Sequence, residues 1–514
     1  MDQYHEKSYI DESAPRLYPT EGSDEYIAKE GIQVEDAAVD SHNRKLKRSL
    51  KSRHMGMIAI GGTIGTGLFL GSGTTLAVAG PAGSLIAYIL IGTMVYFVCT
   101  SLGEVSTFIP VSDPFNHFAT RFLDPALGFA FGWNYWLSWM LTVGSELVAC
   151  GLIVKFWLPN LNGIVWSLVA MVIMFAINAI SVRGYGEAEY YFAMIKVLAV
   201  VIVIIVGILT ITGRRSNDHI VGILKACITA AFSFQGTEIV GVTVGESANP
   251  RRDVPRAIRS VFWRILLFYI LAIMSGGVED IAISPFTLVF DLAGAKWAAH
   301  VMNAVVLITV LSAGNSGLYA CTRVLWNMAK EGKAPRIFCR VTKGGVPIWA
   351  LIFTTFWSCE VYVFLVNISG VTGFLFWLGL SLSHWRFRMA YVRQGFDIKD
   401  LPYRAAFYPF GPIYACCLLA VIIVGQGYGT FTPKFDALSF FSTYIALPLF
   451  VIMWLGWKFF KKTKVVRLDE ADVSSGTLLE MERSGEIEIF PYTPGITDRI
   501  VNFVLRRNPR EQQS

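Results

Sequence analysis

Residues 61–67 read Gly61-Gly62-Thr63-Ile64-Gly65-Thr66-Gly67, and residues 236–241 read Gly236-Thr237-Glu238-Ile239-Val240-Gly241. Each run interrupts a hydrophobic stretch long enough to cross a bilayer. Glycine costs a helix about 1 kcal/mol relative to alanine, and unsatisfied backbone groups in hydrocarbon cost more. Such interruptions persist at membrane depth only where they line a cavity or bind something. Because a matched pair of them indicates a transporter's substrate site, we name them the first break and the second break.

The composition indicates a polytopic membrane protein. Hydrophobic residues make up 54% of the chain and charged residues only 16%, whereas soluble domains carry about 25% charged residues. The net charge of +6 is concentrated in loops and tails, so it predicts no nucleic-acid partner. The sequence contains no GxxxxGK[ST] motif, no metal-ligand spacing and no nucleophile–base grouping. We therefore expect neither an ATP-driven pump nor an enzyme, and no cofactor beyond a proton gradient.

The charge pattern predicts three regions. Residues 1–43 form a disordered cytoplasmic tail, residues 44–462 a transmembrane transporter domain, and residues 463–514 a cytoplasmic C-terminal tail. A basic run at 44–53 precedes the first span and places the N-terminus in the cytoplasm by the positive-inside rule. Twelve apolar segments follow, near 55–79, 83–109, 126–154, 164–181, 190–212, 220–245, 261–274, 298–322, 348–359, 361–384, 408–428 and 439–460.

Two of these segments, 261–274 and 348–359, are shorter than the roughly 20 residues that a spanning helix needs. The loops at 246–260, 323–347 and 385–407 are all basic, and neighbouring basic loops lie on one side only if an even number of crossings separates them. The short segments must therefore cross as well. The sequence predicts an all-α membrane protein of about twelve transmembrane helices, two of them shortened, with both termini cytoplasmic.

The breaks have the chemistry of a zwitterion site. A half-helix that begins after Gly65 presents free N–H groups to a carboxylate, and one that ends near Ile64 presents free carbonyls to an ammonium group. Residues 232–236, at the second break, would add further carbonyls and aromatic walls. The alternative is that the glycines only allow helices to pack closely.

Charged residues inside apolar segments cost about 2.5–3.5 kcal/mol each on insertion scales, and three of them stand out. Lys196 is the leading candidate for proton coupling, because a buried lysine can exchange protons near neutrality. The alternative is a structural ammonium group that donates to carbonyls freed by the first break. Glu146 could relay protons, contact a cationic substrate or pair internally, and for Glu238 we favour gating or a response to protons.

Polar residues inside spans are further candidates for the site. Asn315 is as consistent with a hydrogen bond between helices as with substrate contact, whereas Ser369 and Thr372 favour substrate contact.

Long motifs give the chain a family resemblance. It resembles the fungal amino acid permeases, the yeast amino acid transporter family of the amino acid–polyamine–organocation superfamily, over roughly residues 44–465. The matching stretches are Ile60 to Phe69, Asp124 to Phe129 with Gly132 to Trp136, Glu189 to Phe192 with Lys196, Phe232 to Glu238, Gly245-Glu246 with Asn249 to Arg252, Ser312 to Ser316, and Asn367 to Gly370.

This resemblance implies a LeuT-like fold of two inverted five-helix repeats plus two further helices. It also implies import of free amino acids across the plasma membrane by proton symport, with the lipid bilayer as surroundings. Thr66 and Gly67 would hold the substrate carboxylate, and Lys196 would link protonation to the first broken helix. The substrate-binding positions that carry over are Thr63, Ile64, Gly65, Thr66, Gly67, Phe232, Ser233, Phe234, Gly236, Ser369 and Thr372.

Within this set the resemblance implies distinct roles. The carbonyls of residues 63–64 and 232–233 would hold the amino group of the substrate. Phe232 and Phe234 would form the wall or gate of the pocket. Ser369 and Thr372 would lie near the substrate side chain.

The chain also departs from the family pattern. Asp113-Pro114 stands where small residues are usual, the connection at 214–219 is short, and the two short segments each look like half a helix. Two alternatives therefore stay open: an amino-acid sensor with a permease fold and little transport, or a non-functional truncated paralogue or gene model. The tail lysines Lys7 and Lys29 are candidate ubiquitin sites, with ubiquitin-ligase adaptors as the implied partners.

Overall fold

A computed structural model describes residues 57–58, 64–69, 71–180, 182–210, 220–247, 249–264, 296–342, 344–364, 371–431 and 435–484. The predicted tail at 1–43, the short connection at 214–219, most of the short segment 261–274 and the last part of the C-terminal tail lie outside the described residues. The regular structure of the described part is helical, as the composition predicts.

The α-helices of this part are numbered in chain order. They are α1 (Thr66–Phe69), α2 (Gly71–Phe108), α3 (Pro114–Phe122), α4 (Pro125–Val154), α5 (Gly163–Ile180), α6 (Val182–Thr210), α7 (Ile220–Phe234), α8 (Ile239–Thr243), α9 (Pro250–Arg264), α10 (Lys296–Lys330), α11 (Ile348–Phe364), α12 (Val371–Arg393), α13 (Phe410–Gly425), α14 (Ala437–Tyr444), α15 (Ala446–Lys461) and α16 (Leu478–Arg483).

Within the described residues, six helical stretches are long and apolar enough to cross a membrane. They are Val78–Phe108, Pro125–Val154, Gly163–Ile180, Ala226–Glu246, His300–Lys330 and Phe410–Tyr428. The short segment predicted at 348–359 continues as helix α11 to Phe364, which gives it 17 residues. This is closer to, but still below, the roughly 20 residues of a spanning helix.

The predicted segments 55–79 and 83–109 lie in two helices that join at Gly80, inside the range given above for α2. Helix α2 runs through Gly80, whose φ of 69° lies in the left-handed region that glycine adopts without strain. Pro81 follows and has no N–H to donate, so the helical hydrogen-bond ladder is interrupted there. Gly80 therefore marks the boundary between the two predicted segments.

Asp-Pro pairs start two consecutive helices. Asp113 caps α3, its Oδ1 accepting the Asn116 N–H at 3.2 Å, and the proline that follows occupies the first turn. Asp124 caps α4 in the same way, accepting an N–H of the first turn at 2.8 Å. Proline is favourable there because its missing N–H would have no helical partner. The unusual Asp113-Pro114 pair is thus the start of a short helix between two spans.

Buried ion pairs connect helices that are far apart in sequence. Glu104 on α2 accepts two hydrogen bonds from Arg388 on α12, at 2.6 and 2.7 Å, and a third from the Ala405 N–H. Arg323 on α10 donates to Glu246, just after α8, at 2.9 Å. Removing one partner of such a pair typically costs about 3–5 kcal/mol, because the other charge stays buried.

The first part of the predicted C-terminal tail packs against the helical bundle. The Val466 N–H donates to the carbonyl of Leu123 at 2.8 Å, between α3 and α4. Arg121 forms an ion pair with Asp472, with 3.1 Å between Nη2 and Oδ1. Val473 is buried, and the segment ends in the short helix α16. Residues 463–484 are therefore part of the folded body.

Asp113 has an unusual electrostatic environment outside the spanning segments. Its side chain is fully buried, and its Oδ2 accepts no hydrogen bond from the described residues. Burial raises the pKa of Asp113 to about 7, and the negative charge of Glu331 adds to the rise. Burial would also raise the pKa of Glu331, but the hydrogen bond from His117 and the charge of Lys333 lower it to about 2.

We predict that Asp113→Asn stabilises the protein more at pH 8 than at pH 5. The folded state favours the protonated carboxyl, so folding loses stability as the pH rises from about 4 towards 7. Asparagine keeps the cap and removes this titration. Thermal unfolding of the detergent-solubilised protein at the two pH values measures the effect.

Asp472→Asn is the control, because the pKa of Asp472 is shifted in the opposite direction to that of Asp113. Burial would raise the pKa of Asp472, but hydrogen bonds from Ser475 and the charge of Arg121 lower it to about 2. The ionised Asp472 side chain therefore stabilises the folded state above about pH 4, and this stabilisation is lost as the pH falls towards 2. We expect Asp472→Asn to lower the melting temperature at pH 8. Equal shifts for both variants at every pH would contradict the interpretation of Asp113.

Candidate substrate-binding site

The first break leads into helix α1. Ile64 and Gly65 are non-helical and α1 starts at Thr66, while residues 61–63, and with them Thr63, lie outside the described residues. The Gly65 carbonyl accepts the N–H groups of two later residues of α1, both at 3.2 Å. By helix geometry the N–H groups of Thr66 and Gly67 precede the first intrahelical hydrogen bond. They are the backbone donors that the sequence assigns to a substrate carboxylate.

The second break is stabilised by its own acidic residue. Helix α7 ends at Phe234 and α8 begins at Ile239, so the break covers residues 235–238 instead of 236–241. Gly236 has a φ of 103°, and its N–H donates to the carboxylate of Glu238 at 3.1 Å. The indole of Trp377 on α12 lies 3.3 Å from the same oxygen. Glu238 is fully buried and holds the interrupted backbone in place.

The two breaks lie directly against each other. A Cβ atom on Gly67 would lie 2.4 Å from the Cα atom of Ser233, so only glycine allows this approach. The Ser233 hydroxyl donates to the Gly67 carbonyl at 2.5 Å and lies 3.0 Å from the hydroxyl of Tyr88. Gly65 lies against Ala313 on α10. The contact places backbone groups of both broken helices at one point inside the bundle.

Two adjoining cavities open beside this contact. The larger and the smaller cavity are both lined by Thr142, Phe232 and Gln235. The larger cavity is also lined by Ser138, Ile228, Ala231, Thr372, Gly373, Phe374 and Trp377. The smaller one is also lined by Gly65, Gly67, Trp139, Glu146, Ser233 and Ala313. The walls are mostly apolar with a few polar groups, as in sites for small molecules.

The structure brings most of the predicted site residues together. The smaller cavity gathers Gly65, Gly67, Phe232, Ser233 and Glu146, from both breaks and from α4. Thr372 lines the larger cavity, and its carbonyl accepts a hydrogen bond from Asn134 at 2.7 Å.

Other predicted residues lie elsewhere. Phe234 is buried with its ring 5.9 Å from that of Tyr88, and it lines neither cavity. Ile64 is buried beside the smaller cavity's Gly65, and Gly236 lies within the second break. Ser369 falls outside the described residues, and of Thr66 only the backbone is described.

Several cavity residues were not predicted from the sequence. Trp139 and Thr142 on α4 and Trp377 on α12 lie within the apolar segments predicted at 126–154 and 361–384. Gln235 donates to the hydroxyl of Ser138 at 3.1 Å, which ties the second break to α4. Gln235 could have been found, because it is a polar residue inside a broken span. The two tryptophans could not, since nothing in the sequence separates them from other buried aromatic residues.

Lys196 lies in the middle of α6 and lines neither cavity. It is fully buried, and its Nζ is 4.0 Å from the Oε1 of Glu189, a second buried charge on the same helix. The charge of Glu146 also acts on Lys196. The apolar segment predicted from the sequence starts at residue 190, which leaves Glu189 outside it. Helix α6 begins at Val182, so Glu189 is about two turns inside the helix.

Comparison with known proteins identifies relatives along most of the chain. Residues 54–470 match the family model for amino acid permeases. The lysine-specific permease LysP of Escherichia coli is 47% identical over 468 residues, covering 83% of this chain and 96% of that protein. The basic amino-acid permease of Saccharomyces cerevisiae is 38% identical over 526 residues, covering 91% of each. The histidine permease HisP of Lactococcus lactis is 42% identical, covering 84% of this chain and 99% of that protein.

We predict that Gly67→Ala abolishes substrate binding. The added Cβ atom would lie 2.4 Å from backbone of α7, which cannot move aside as a side-chain end can, so the breaks must separate. Gly456→Ala on α15 is the control, because a Cβ atom there has nothing within 4 Å. Binding of labelled substrate to purified protein measures both variants. Normal binding by Gly67→Ala would show that the binding-competent state does not contain this contact.

Proposed function

This chain belongs to the amino acid permease family, and from that premise we propose that it imports cationic amino acids together with protons across the plasma membrane. Members of the family are polytopic membrane transporters with a LeuT-like fold, and they transport amino acids and are not enzymes. The single observation that carries the finer proposal is the buried carboxylate of Glu146 in the cavity wall beside the first break.

The two breaks support binding of the backbone of an amino acid. The N–H groups at the start of α1 suit its carboxylate, and carbonyls at the end of α7 suit its ammonium group. Phe232 lines both cavities, so a substrate held at the breaks would have its side chain beside this ring. This arrangement accepts any α-amino acid, and the rest of the cavity decides which one.

The cavity wall favours a cationic side chain. Of the two buried acids near the breaks, Glu238 is engaged by the Gly236 N–H and by Trp377. Glu146 instead lines the smaller cavity, where its Oε1 would lie 3.4 Å from a Cβ atom on Gly65. A carboxylate in a water-poor site attracts a cation strongly. The names of the E. coli and S. cerevisiae relatives, lysine-specific and basic amino-acid permease, agree with this preference.

Lys196 is our candidate for proton coupling. Its ammonium group is fully buried and lies in the field of two carboxylates, one of which lines the cavity. A change in its protonation therefore alters the electrostatic potential at the substrate site. Protons would enter from the outside and leave on the side of the basic loops, which the positive-inside rule assigns to the cytoplasm together with both termini. The tails are the proposed contacts for ubiquitin-ligase adaptors.

Uptake by the complete chain tests the function directly. In fungal cells that lack their own permeases, we expect accumulation of radiolabelled lysine or arginine above the external concentration, and its loss with a protonophore. Uptake that survives the protonophore would contradict proton symport. Surface protein that binds lysine without accumulating it would support a sensor.

We predict that Glu146→Gln reduces the preference for cationic substrates. Removing the negative charge from the cavity wall should raise the KM for lysine at least tenfold, about 1.4 kcal/mol, with a smaller effect on a neutral amino acid. Glu146→Asp, which keeps the charge, is the matched control and should retain part of the preference. An equal loss for lysine and for the neutral substrate would instead indicate a structural or coupling role for Glu146.

A further inference from the structure

Glu189 is a buried acid that the proposed binding site does not use. It lies on α6 seven residues before Lys196, and both side chains are fully buried. Seven residues are two helical turns, about 10 Å along the axis, and a helical side chain leans towards the N-terminus. The long lysine side chain can therefore reach back towards the carboxylate, and the Nζ–Oε1 distance is 4.0 Å.

Hydrogen bonds from a neighbouring helix hold the Glu189 carboxylate. The hydroxyl of Ser312 on α10 donates to its Oε1, and the amide of Asn315 donates to its Oε2 at 3.4 Å. The Asn315 side chain is oriented in turn by Asn178 on α5, whose amide donates to Asn315 Oδ1 at 2.7 Å. Three helices thus converge on one carboxylate, and the donors favour its charged form.

The charged and titratable groups described around Glu189 and Lys196 lie on helices α4, α6 and α10. Lys196 faces Glu189 on its own helix and feels Glu146 from α4, and Tyr185 on α6 interacts with Glu189. Helix α5, residues 163–180, contains no acidic, basic or histidine residue. From α10 the groups nearest the carboxylate are Ser312, Asn315 and Ser316, followed by Tyr319, whose ring stacks on that of Tyr185 at 4.2 Å. Among the residues that the structure describes, Lys196 is the cation that forms an ion pair with Glu189, at 4.0 Å.

We propose that Glu189 is the resident counter-ion of Lys196, and that the two residues bind and release the transported proton as one unit. This inference rests on the proposed proton symport. With the proton bound, the pair is a neutral ammonium–carboxylate pair. When the proton leaves, one N–H bond breaks and the pair carries a single negative charge; the next proton restores that bond, and no other bond changes.

The energetic reason for this assignment is the cost of isolated buried charges. The Glu189 carboxylate lies 4.0 Å from the Lys196 Nζ, and a buried ammonium group is stabilised by a carboxylate that is itself buried and held by hydrogen bonds. Removing this carboxylate makes the charged form of Lys196 less favourable, so the residue would hold its proton less tightly. With Glu189 present the two groups titrate jointly, so the proton affinity belongs to the pair.

Glu189→Gln tests the proposal, because it removes the charge and keeps an oxygen that can accept the Ser312 hydroxyl. In proteoliposomes we expect Glu189→Gln to lose uphill accumulation driven by a pH gradient while it still exchanges internal for external substrate. The pH dependence of exchange should flatten. Glu187→Gln, the same change two residues earlier on α6, is the matched control and should accumulate substrate as the unmodified protein does.

A double variant separates electrostatics from folding. Lys196→Met alone leaves a buried carboxylate without its cation, and Glu189→Gln alone leaves the amine without its anion, so each should exchange more slowly than Glu189→Gln/Lys196→Met. Additive losses in the double variant would overturn the proposal, as would uphill accumulation by Glu189→Gln with an unchanged pH profile. If the unmodified protein itself shows no proton-driven accumulation, the proposed symport is wrong, and the pairing proposal that rests on it is wrong as well. If only the variants behave differently from these expectations, the pairing proposal alone is wrong.

Discussion

The backbone at the two helix breaks must find its hydrogen-bond partners within the protein, and the rest of the structure depends on this constraint. Hydrocarbon offers no donors or acceptors, so each interrupted turn would otherwise cost several kcal/mol. The second break uses Glu238, whose carboxylate accepts the Gly236 N–H. The first break is stabilised by a residue next to the second break, because the Ser233 hydroxyl donates to the Gly67 carbonyl. The groups that remain after these contacts are the ones a substrate can use.

Three buried acidic residues differ in the groups that their carboxylates contact. Glu238 accepts backbone and indole donors and stabilises an irregular segment. Glu189 lies beside Lys196 and accepts hydroxyl and amide donors from α10. Glu146 lines the cavity. The same functional group can thus serve in structure, in proton binding and in substrate selection, because a buried carboxylate takes its properties from its neighbours.

Away from the breaks, polar contacts fix how the helices are arranged. Glu104 joins α2 to α12, and Arg323 joins α10 to the turn after α8, next to the second break. The segment 463–484 adds contacts to α3 and α12. Apolar helices can pack against each other in many relative arrangements. A buried ion pair allows few of them, because both charges must remain paired.

The sequence by itself determined the all-helical membrane fold and both breaks, and it singled out Glu146, Glu238 and Lys196 as candidates, because composition and the cost of glycine or charge in a span are local properties. Only the tertiary structure decided which groups meet. It placed Trp139 and Gln235 in the cavity wall, Phe234 away from it, and Glu189 beside Lys196. These outcomes depend on where helices begin and which faces pack together, and hydropathy along a chain contains neither.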